Sequence, residues 1–289
     1  MKKLEYTSKQ KIRLVKSLQN EFPEIAYSAI VSAIRKKDVV VCGKRVKENV
    51  WLEVGDNVVM FVEDNAIRQG FSVFYEDENI IVVNKQKGVE VCDGDNNVLQ
   101  TMEKNGKKVF AVHRIDKNTS GLVVFAKNQI SYNILLEAFK QKSVEKFYRA
   151  LVFGVPQKSE ETLVAYLVKD AEKSLVKIYD EPVEASSKII TKYKLVKTME
   201  NTSELDVQIL TGKTHQIRAH LAHIALPIVG DEKYGDSQQN KKCHKKKQCL
   251  VAYKLKFNFE ANSKLAYLNQ KHFELQNFDW WQNSHFFHI

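Results

Sequence analysis

Two short polar segments of the chain carry residue types suited to chemistry. His113-Arg114-Ile115-Asp116-Lys117-Asn118-Thr119-Ser120-Gly121 lies between two strand-like apolar runs, at 109–112 and 122–125, and polar residues on a loop held by rigid strands are well placed for function. Asp116 has two readings there. It caps a turn, since Asp, Asn, Thr, Ser and Gly favour turns through local hydrogen bonds, or it is a carboxylate nucleophile or base of the kind used where glycosidic bonds break. The second segment, Thr211-Gly212-Lys213-Thr214-His215-Gln216-Ile217-Arg218-Ala219-His220-Leu221, sits at a strand-to-helix transition. Exposed N–H groups and the positive end of a helix can receive a phosphate or carboxylate there. Arg218 follows core-facing Ile217 and is expected at the edge of the buried stripe. A guanidinium in that place favours the charged form of a nearby aspartate; an ordinary structural ion pair is the other reading.

Metal chemistry is poorly supplied. His215, His220 and His223 are five and three apart, which does not match the i, i+4 pair of helical zinc sites. Cys243-His244 with Cys249 offers only three ligands, and the lysines between them repel a cation, so this stretch reads as a basic loop able to touch RNA phosphates. The chain has neither a GxGxxG nor a GxxxxGK[ST] sequence. No metal and no dinucleotide or ATP cofactor is expected.

The elements that must position these segments follow from periodicity. Ile12, Val15, Leu18 and Phe22 predict an amphipathic helix over 9–22, and Ile30 with Ile34 a second one ending in Arg35-Lys36-Lys37, cations that suit a helix C-terminus. Short strands are predicted at 39–42 and 58–62. Beyond Phe71 the pattern is strand-rich: apolar runs at 80–84 and 121–126, a helix over 128–142, alternating strands at 205–210 and 251–259, and a helix through Ile217, Leu221 and Ile224. That order implies an α+β domain with a largely antiparallel mixed sheet flanked by helices rather than a βαβ repeat. At 289 residues, 44% of them hydrophobic and 28% charged, the chain can bury a core and is neither disordered nor fibrous. Length suggests about two domains. The net charge of +10 attracts polyanions, and residues 1–50 hold 12 Lys and Arg against 5 Asp and Glu. Four scattered cysteines fit a reducing cytoplasm. Neither a signal peptide nor a membrane span is expected.

Two resemblances sharpen this reading. The run Ile12-Arg13-Leu14, Ile30, Lys36 to Val41, Gly43-Lys44-Arg45-Val46 and Val54-Gly55-Asp56-Asn57-Val58 resembles a small RNA-binding domain shared with a ribosomal small-subunit protein. It implies an RNA-binding domain over 1–66, with Arg13, Arg35, Lys36, Lys37, Lys44 and Arg45 on phosphates, and a catalytic domain over 67–289. His113 to Leu122, Lys146-Phe147-Tyr148-Arg149-Ala150 with Gly154, and Thr211 to Leu221 leading to Pro227-Ile228-Val229-Gly230-Asp231 and Tyr234-Gly235 resemble the RluA-type pseudouridine synthases over about residues 74–260. That family turns chosen uridines in RNA into pseudouridine without cofactor or metal. The resemblance makes Asp116 the catalytic aspartate, Arg218 its partner and Tyr148 the active-site tyrosine. It places Arg114 in the gap left by a flipped uridine, and His113, Thr119, Thr214, His215 and Gln216 around the substrate. The implied partner is RNA, with large-subunit ribosomal RNA favoured over transfer RNA, acted on by a monomer. The sequence departs from the family where Lys85-Gln86-Lys87-Gly88 lacks a proline, where Cys92-Asp93 replaces a histidine, and where Val251 replaces another. A non-catalytic RNA-binding or ribosome-assembly factor is the competing reading, and a carboxylate-using glycoside hydrolase lacks a clear second acid.

Overall fold

The computed structural model describes residues 1–22, 25, 27–62, 70–170, 174–243, 245 and 247–276. The chain divides into two compact units, Met1–Gly70 and Phe71–Ile289. The boundary expected between 66 and 67 lies outside the described residues.

In the first unit β1 (Lys2–Thr7), β6 (Asn57–Val62), β3 (Val39–Val41) and β4 (Lys44–Val46) form a four-stranded antiparallel sheet in that order. A second ribbon pairs β2 (Ile12–Arg13) with β5 (Trp51–Leu52). Helices α1 (Leu14–Glu21) and α2 (Tyr27–Arg35) pack Leu14, Leu18, Ile30 and Ile34 against Val39, Leu52, Val58 and Met60. Six residues of the helix predicted over 9–22 are therefore not helical, the first five and Phe22, which is the C-cap. Ile12 and Arg13 are drawn into pairing with Leu52 and Trp51, and Asn49 Oδ1 accepts from the Val15 N–H at 2.9 Å, fixing the helix start by a contact 34 residues away.

Among the described residues the second unit is built on one 11-stranded sheet. Its strands are β7 (Phe71–Glu76), β8 (Ile80–Lys85), β9 (Phe110–Ala111), β10 (Ser120–Ala126), β11 (Val144–Phe153), β12 (Glu160–Asp170), β13 (Leu175–Tyr179), β14 (Ser187–Met199), β15 (Thr202–Ile209), β16 (Leu250–Phe257) and β17 (Phe273–Glu274). The main path runs β13-β12-β14-β15-β11-β16-β10-β8-β7. Among the described residues every pairing is antiparallel except β10 with β16. Helices α3 (Val98–Lys104), α4 (Gln129–Lys140), α5 (Gln216–His223) and α6 (Ser237–Lys242) flank it, so the expected α+β architecture is the one observed. At the parallel join Gly121 has φ +120°, and a Cβ there would stand 2.2 Å from the Ala252 carbonyl oxygen. Only glycine lets the strand leaving the Asp116 loop come that close.

Candidate active site

The Asp116 loop is held from three sides. Ile115, 6% exposed, plugs into the core, the Thr119 N–H donates to the Asp116 carbonyl at 3.0 Å, and β10 carries the chain away. Beneath the loop lies Lys85, whose side chain is wholly buried. Its ammonium donates to the carbonyls of Val89 at 2.6 Å, Gln86 at 3.0 Å and Lys117 at 3.1 Å, stitching the 85–89 turn to the Asp116 loop. Burial pulls the Lys85 pKa down to about 7, against the opposing pull of Asp116 and Glu90. Sequence reasoning gave Lys85 no role; the signal was a lysine closing a strand whose other residues are mostly apolar.

Arg218 meets Asp116 across 102 residues of sequence, Nη1 donating to Oδ2 at 3.0 Å. The same guanidinium grips Asp231 with two bonds, Nε to Oδ2 at 2.6 Å and Nη2 to Oδ1 at 2.9 Å. Asp231 also accepts from the N–H groups of Lys233 and Tyr234. Despite burial, these donors and the guanidinium charge hold its carboxyl below the usual range. Asp231, cited in sequence only as part of a motif, is the second anchor of the site. Arg218 is only 6% exposed and α5 is buried from Gln216 to Leu221, so the arginine is not at the edge of an apolar stripe as expected. The helix runs through the core, where Ile217 and Leu221 stabilise by about 1.5–3 kcal/mol each on burial. A buried guanidinium is tolerable there because two carboxylates receive it.

Tyr148 stands on β11 opposite Val207 and Ala252, beside a bulge in the β11–β16 pairing, a feature that re-aims side chains. It is 7% exposed, and among the described residues its hydroxyl has no hydrogen-bond partner. Burial, reinforced by Asp116, pushes its pKa up, so the phenol stays protonated at neutral pH and is a donor rather than a ready base.

Asp116, Tyr148 and Arg218 line one cleft of about 690 Å³, together with Glu90, Lys146, Lys213 and Lys233. The expected substrate residues divide here. Arg114 and Thr214 line it and are exposed; Arg114 pairs with Asp93, the residue standing in place of the family histidine. His215, in the left-handed region at φ 54°, puts Nε2 4.0 Å from Asp116 Oδ2 and Nδ1 2.9 Å from the Tyr234 hydroxyl. That hydroxyl accepts from the Val176 N–H at 2.8 Å, tying the His215 ring through Tyr234 to the β13 backbone. Burial lowers the His215 pKa, outweighing Asp116, so the ring is neutral.

The other three expected substrate residues, His113, Thr119 and Gln216, also line the cleft, while their polar atoms bond to the protein itself. Gln216, 3% exposed, spends its amide on Thr211, Lys213, Ile190 and Thr191. Thr119, 2% exposed, accepts from Gln248 Nε2 at 2.7 Å. His113 Nε2 accepts from the Val124 N–H at 3.0 Å while the ring stacks on Phe139, and burial drives its pKa to about 3. These groups satisfy backbone and core polar atoms that the site's own geometry leaves exposed to desolvation.

His220, 2% exposed, adds a testable pH signature. Burial lowers its pKa to about 4, so between that value and about 6.5 the unfolded chain binds a proton that the folded chain refuses. Stability contributed by the neutral ring is thus present at neutral pH and lost as pH falls. The His220→Gln variant is expected to lose this share of the pH dependence, up to about 1.4 kcal/mol per pH unit. Urea unfolding of variant and wild type at pH 7, 6 and 5 checks it, and parallel curves would remove the assignment.

In the first unit, Arg45 Nη1 donates to the Lys37 carbonyl at 2.6 Å, joining the β3–β4 hairpin to the turn after α2. Exposed Arg35 ends α2, Lys36 and Lys37 form the turn after it, and exposed Lys44 and Arg45 lie on the hairpin. Arg13 lies apart on β2, its guanidinium 4.7 Å from the Trp51 ring. Among the described residues no group of three or more His, Cys, Asp or Glu side chains converges as a metal site requires; His244 lies outside them. No helix among them is long and apolar enough to cross a membrane.

Over residues 79–223 the sequence matches the family described as RNA pseudouridylate synthase. It is 32% identical over 252 residues to the ribosomal large subunit pseudouridine synthase C of Rickettsia bellii (strain RML369-C), covering 78% of this chain and 83% of the relative. Against the ribosomal large subunit pseudouridine synthase D of Buchnera aphidicola subsp. Baizongia pistaciae (strain Bp) identity is 31% over 249 residues, covering 78% and 75%. The fold is similar to that of human RNA pseudouridylate synthase domain containing 1, with a TM-score of 0.60 at 22% identity over 73% of this chain and 84% of that one. By these matches the chain belongs to the RNA pseudouridylate synthase family, in its RluA branch, and is a pseudouridine synthase.

Proposed function

We propose that the protein isomerises specific uridines of large-subunit ribosomal RNA, as a monomer in the cytoplasm, with Asp116 as the catalytic group. The observation that carries this is the Asp116 carboxylate exposed to the cleft, bonded by Arg218 and neighboured by Tyr148. A uridine flipped from its stack brings C1′ and C2′ to the carboxylate, which either attacks C1′ or takes the proton from C2′. The N1–C1′ bond breaks, the uracil turns, and C5 bonds to C1′ as the ester bond to Asp116 breaks or as C2′ takes its proton back; the C5 proton then leaves to solvent and N1 gains one. Tyr148 stacks on the base and donates from its hydroxyl; Arg218 fixes the carboxylate's position and neutralises its partner charge.

Flipping costs a few kcal/mol of stacking, and Arg114 fills the gap. To do so it must leave Asp93, a pair in which both side chains are more than half exposed and whose rupture costs at most about 1 kcal/mol. The first unit, over about residues 1–66, supplies RNA affinity through Arg13, Arg35, Lys36, Lys37, Lys44 and Arg45. Large-subunit RNA is preferred to transfer RNA because both relatives above carry large-subunit names.

RNA transcripts labelled with tritium at C5 of uracil test the substrate. Large-subunit ribosomal RNA is expected to release label stoichiometrically at a few sites, and transfer RNA to release about 10-fold less or none at matched concentration. Release from transfer RNA alone would transfer the activity to that substrate.

A further inference from the structure

Trp51 is an unusual residue to leave in water. Its strand partner sets the direction: Ile12 and Leu52 pair and turn inward, Leu52 being wholly buried, so Arg13 and Trp51 pair on the outward face. The indole remains 55% exposed. Arg13 is pinned over one face of its ring, Nη1 donating to the Asn49 carbonyl at 2.9 Å and the guanidinium carbon 4.7 Å from the ring centroid, so the opposite face is the one left for a ligand. Asn49 also anchors the start of α1, so ribbon, arginine and helix are tied together before any ligand arrives. An indole backed on one face by a fixed cation, on a segment with a surplus of seven positive charges in its first 50 residues, has the two parts of a single-strand nucleic-acid platform: a π-surface for a base and a donor for its phosphate.

We infer that Trp51 and Arg13 form a binding site for one unpaired RNA nucleobase, stacked on the open indole face with its phosphate on the guanidinium. The site is separate from the lysine and arginine cluster at the α2 end and the β3–β4 hairpin, which addresses phosphates alone. This rests on the reading of the first unit as RNA-binding.

The full-length chain is titrated with a fluorescein-labelled U-rich 12-mer and with a blunt RNA duplex of equal length, at several salt concentrations. Stacking by one base contributes about 1–3 kcal/mol, so Trp51→Ala is expected to weaken single-strand binding about 5- to 150-fold, with duplex affinity unchanged and the salt slope unaltered. Trp51→Phe keeps most of the affinity. Arg13→Gln lowers the single-strand salt slope by about 0.7, one phosphate's share. A variant with Trp280 and Trp281 changed to Phe reports the contact directly, by quenching of the remaining indole. Trp51→Ala binding the 12-mer within twofold of wild type, or losing equally on the duplex, overturns the site. A variant with Lys36, Lys37, Lys44 and Arg45 all changed to Gln separates the two readings: if it too binds both RNAs like wild type, the RNA-binding reading of the unit fails, whereas if it weakens both while Trp51→Ala does not, only the base platform fails.

Discussion

Asp116→Asn is expected to end tritium release, lowering kcat by at least about 10⁴-fold, while RNA affinity changes by no more than about threefold. The argument is geometric. The amide is isosteric with the carboxylate, and its oxygen still accepts from Arg218 Nη1 at the position that gives 3.0 Å in the wild type. Cleft shape, Arg114, Tyr148 and the basic surface are untouched, so the RNA still binds and the uridine still flips. What disappears is the negative charge proposed either to attack C1′ or to remove the C2′ proton, and an amide does neither. Quench-flow measurement with saturating variant enzyme separates this from a binding defect. A variant that releases label within about 10-fold of wild type, at equal RNA occupancy, would move the chemistry to another residue. Asp116→Glu tests the same point from the other side: the charge is kept but displaced by one methylene, and a shift of about 1 Å in a reacting group is worth about 10²-fold.

The distribution of what the sequence revealed follows from which contacts are local. Asp116 and Arg218 are visible because each stands in a polar cluster flanked by apolar periodicity. Thr119 and Gln216 stand in the same clusters and also line the cleft, and what composition does not show is their second duty: the polar atoms of Gln216 serve Ile190, Thr191, Thr211 and Lys213, partners up to 26 residues distant. A glutamine that binds substrate and one that satisfies a buried backbone look alike until the sheet is assembled. The same holds for Lys85, whose three carbonyl partners include one 32 positions away. The alternating strands β15 and β16 were readable from period two, whereas β2 was read as helix because its pairing to β5 is tertiary. The antiparallel order of the large sheet followed from element succession, but nothing local marks the close approach of Gly121 to Ala252.

Asp231→Asn carries the second large effect, and it separates positioning from chemistry. Asp231 does not itself line the cleft; its side chain is fully buried behind Arg218. Through two bonds it sets the plane of the guanidinium whose third corner holds Asp116. Asparagine has one acceptor oxygen and an NH₂ in place of the other. One of the two paired N–H groups then faces a donor, and Arg218 loses the charge that compensates its burial. Breaking one side of a buried ion pair costs about 3–5 kcal/mol, which for a unit of this size lowers the melting temperature by roughly 10 °C. The rotated guanidinium also releases Asp116, so kcat is expected to fall about 10²-fold with KM for RNA nearly unchanged. A purely structural role predicts the melting shift with full activity below the transition, and that outcome would break the link from Asp231 to catalysis. Differential scanning calorimetry beside tritium release at 20 °C reads both. The double variant Asp116→Asn with Asp231→Asn decides how the effects combine. If Asp231 acts only through Arg218 on Asp116, removing it from an enzyme already lacking the Asp116 charge should cost stability again and no further activity, because the group it positions has nothing left to do.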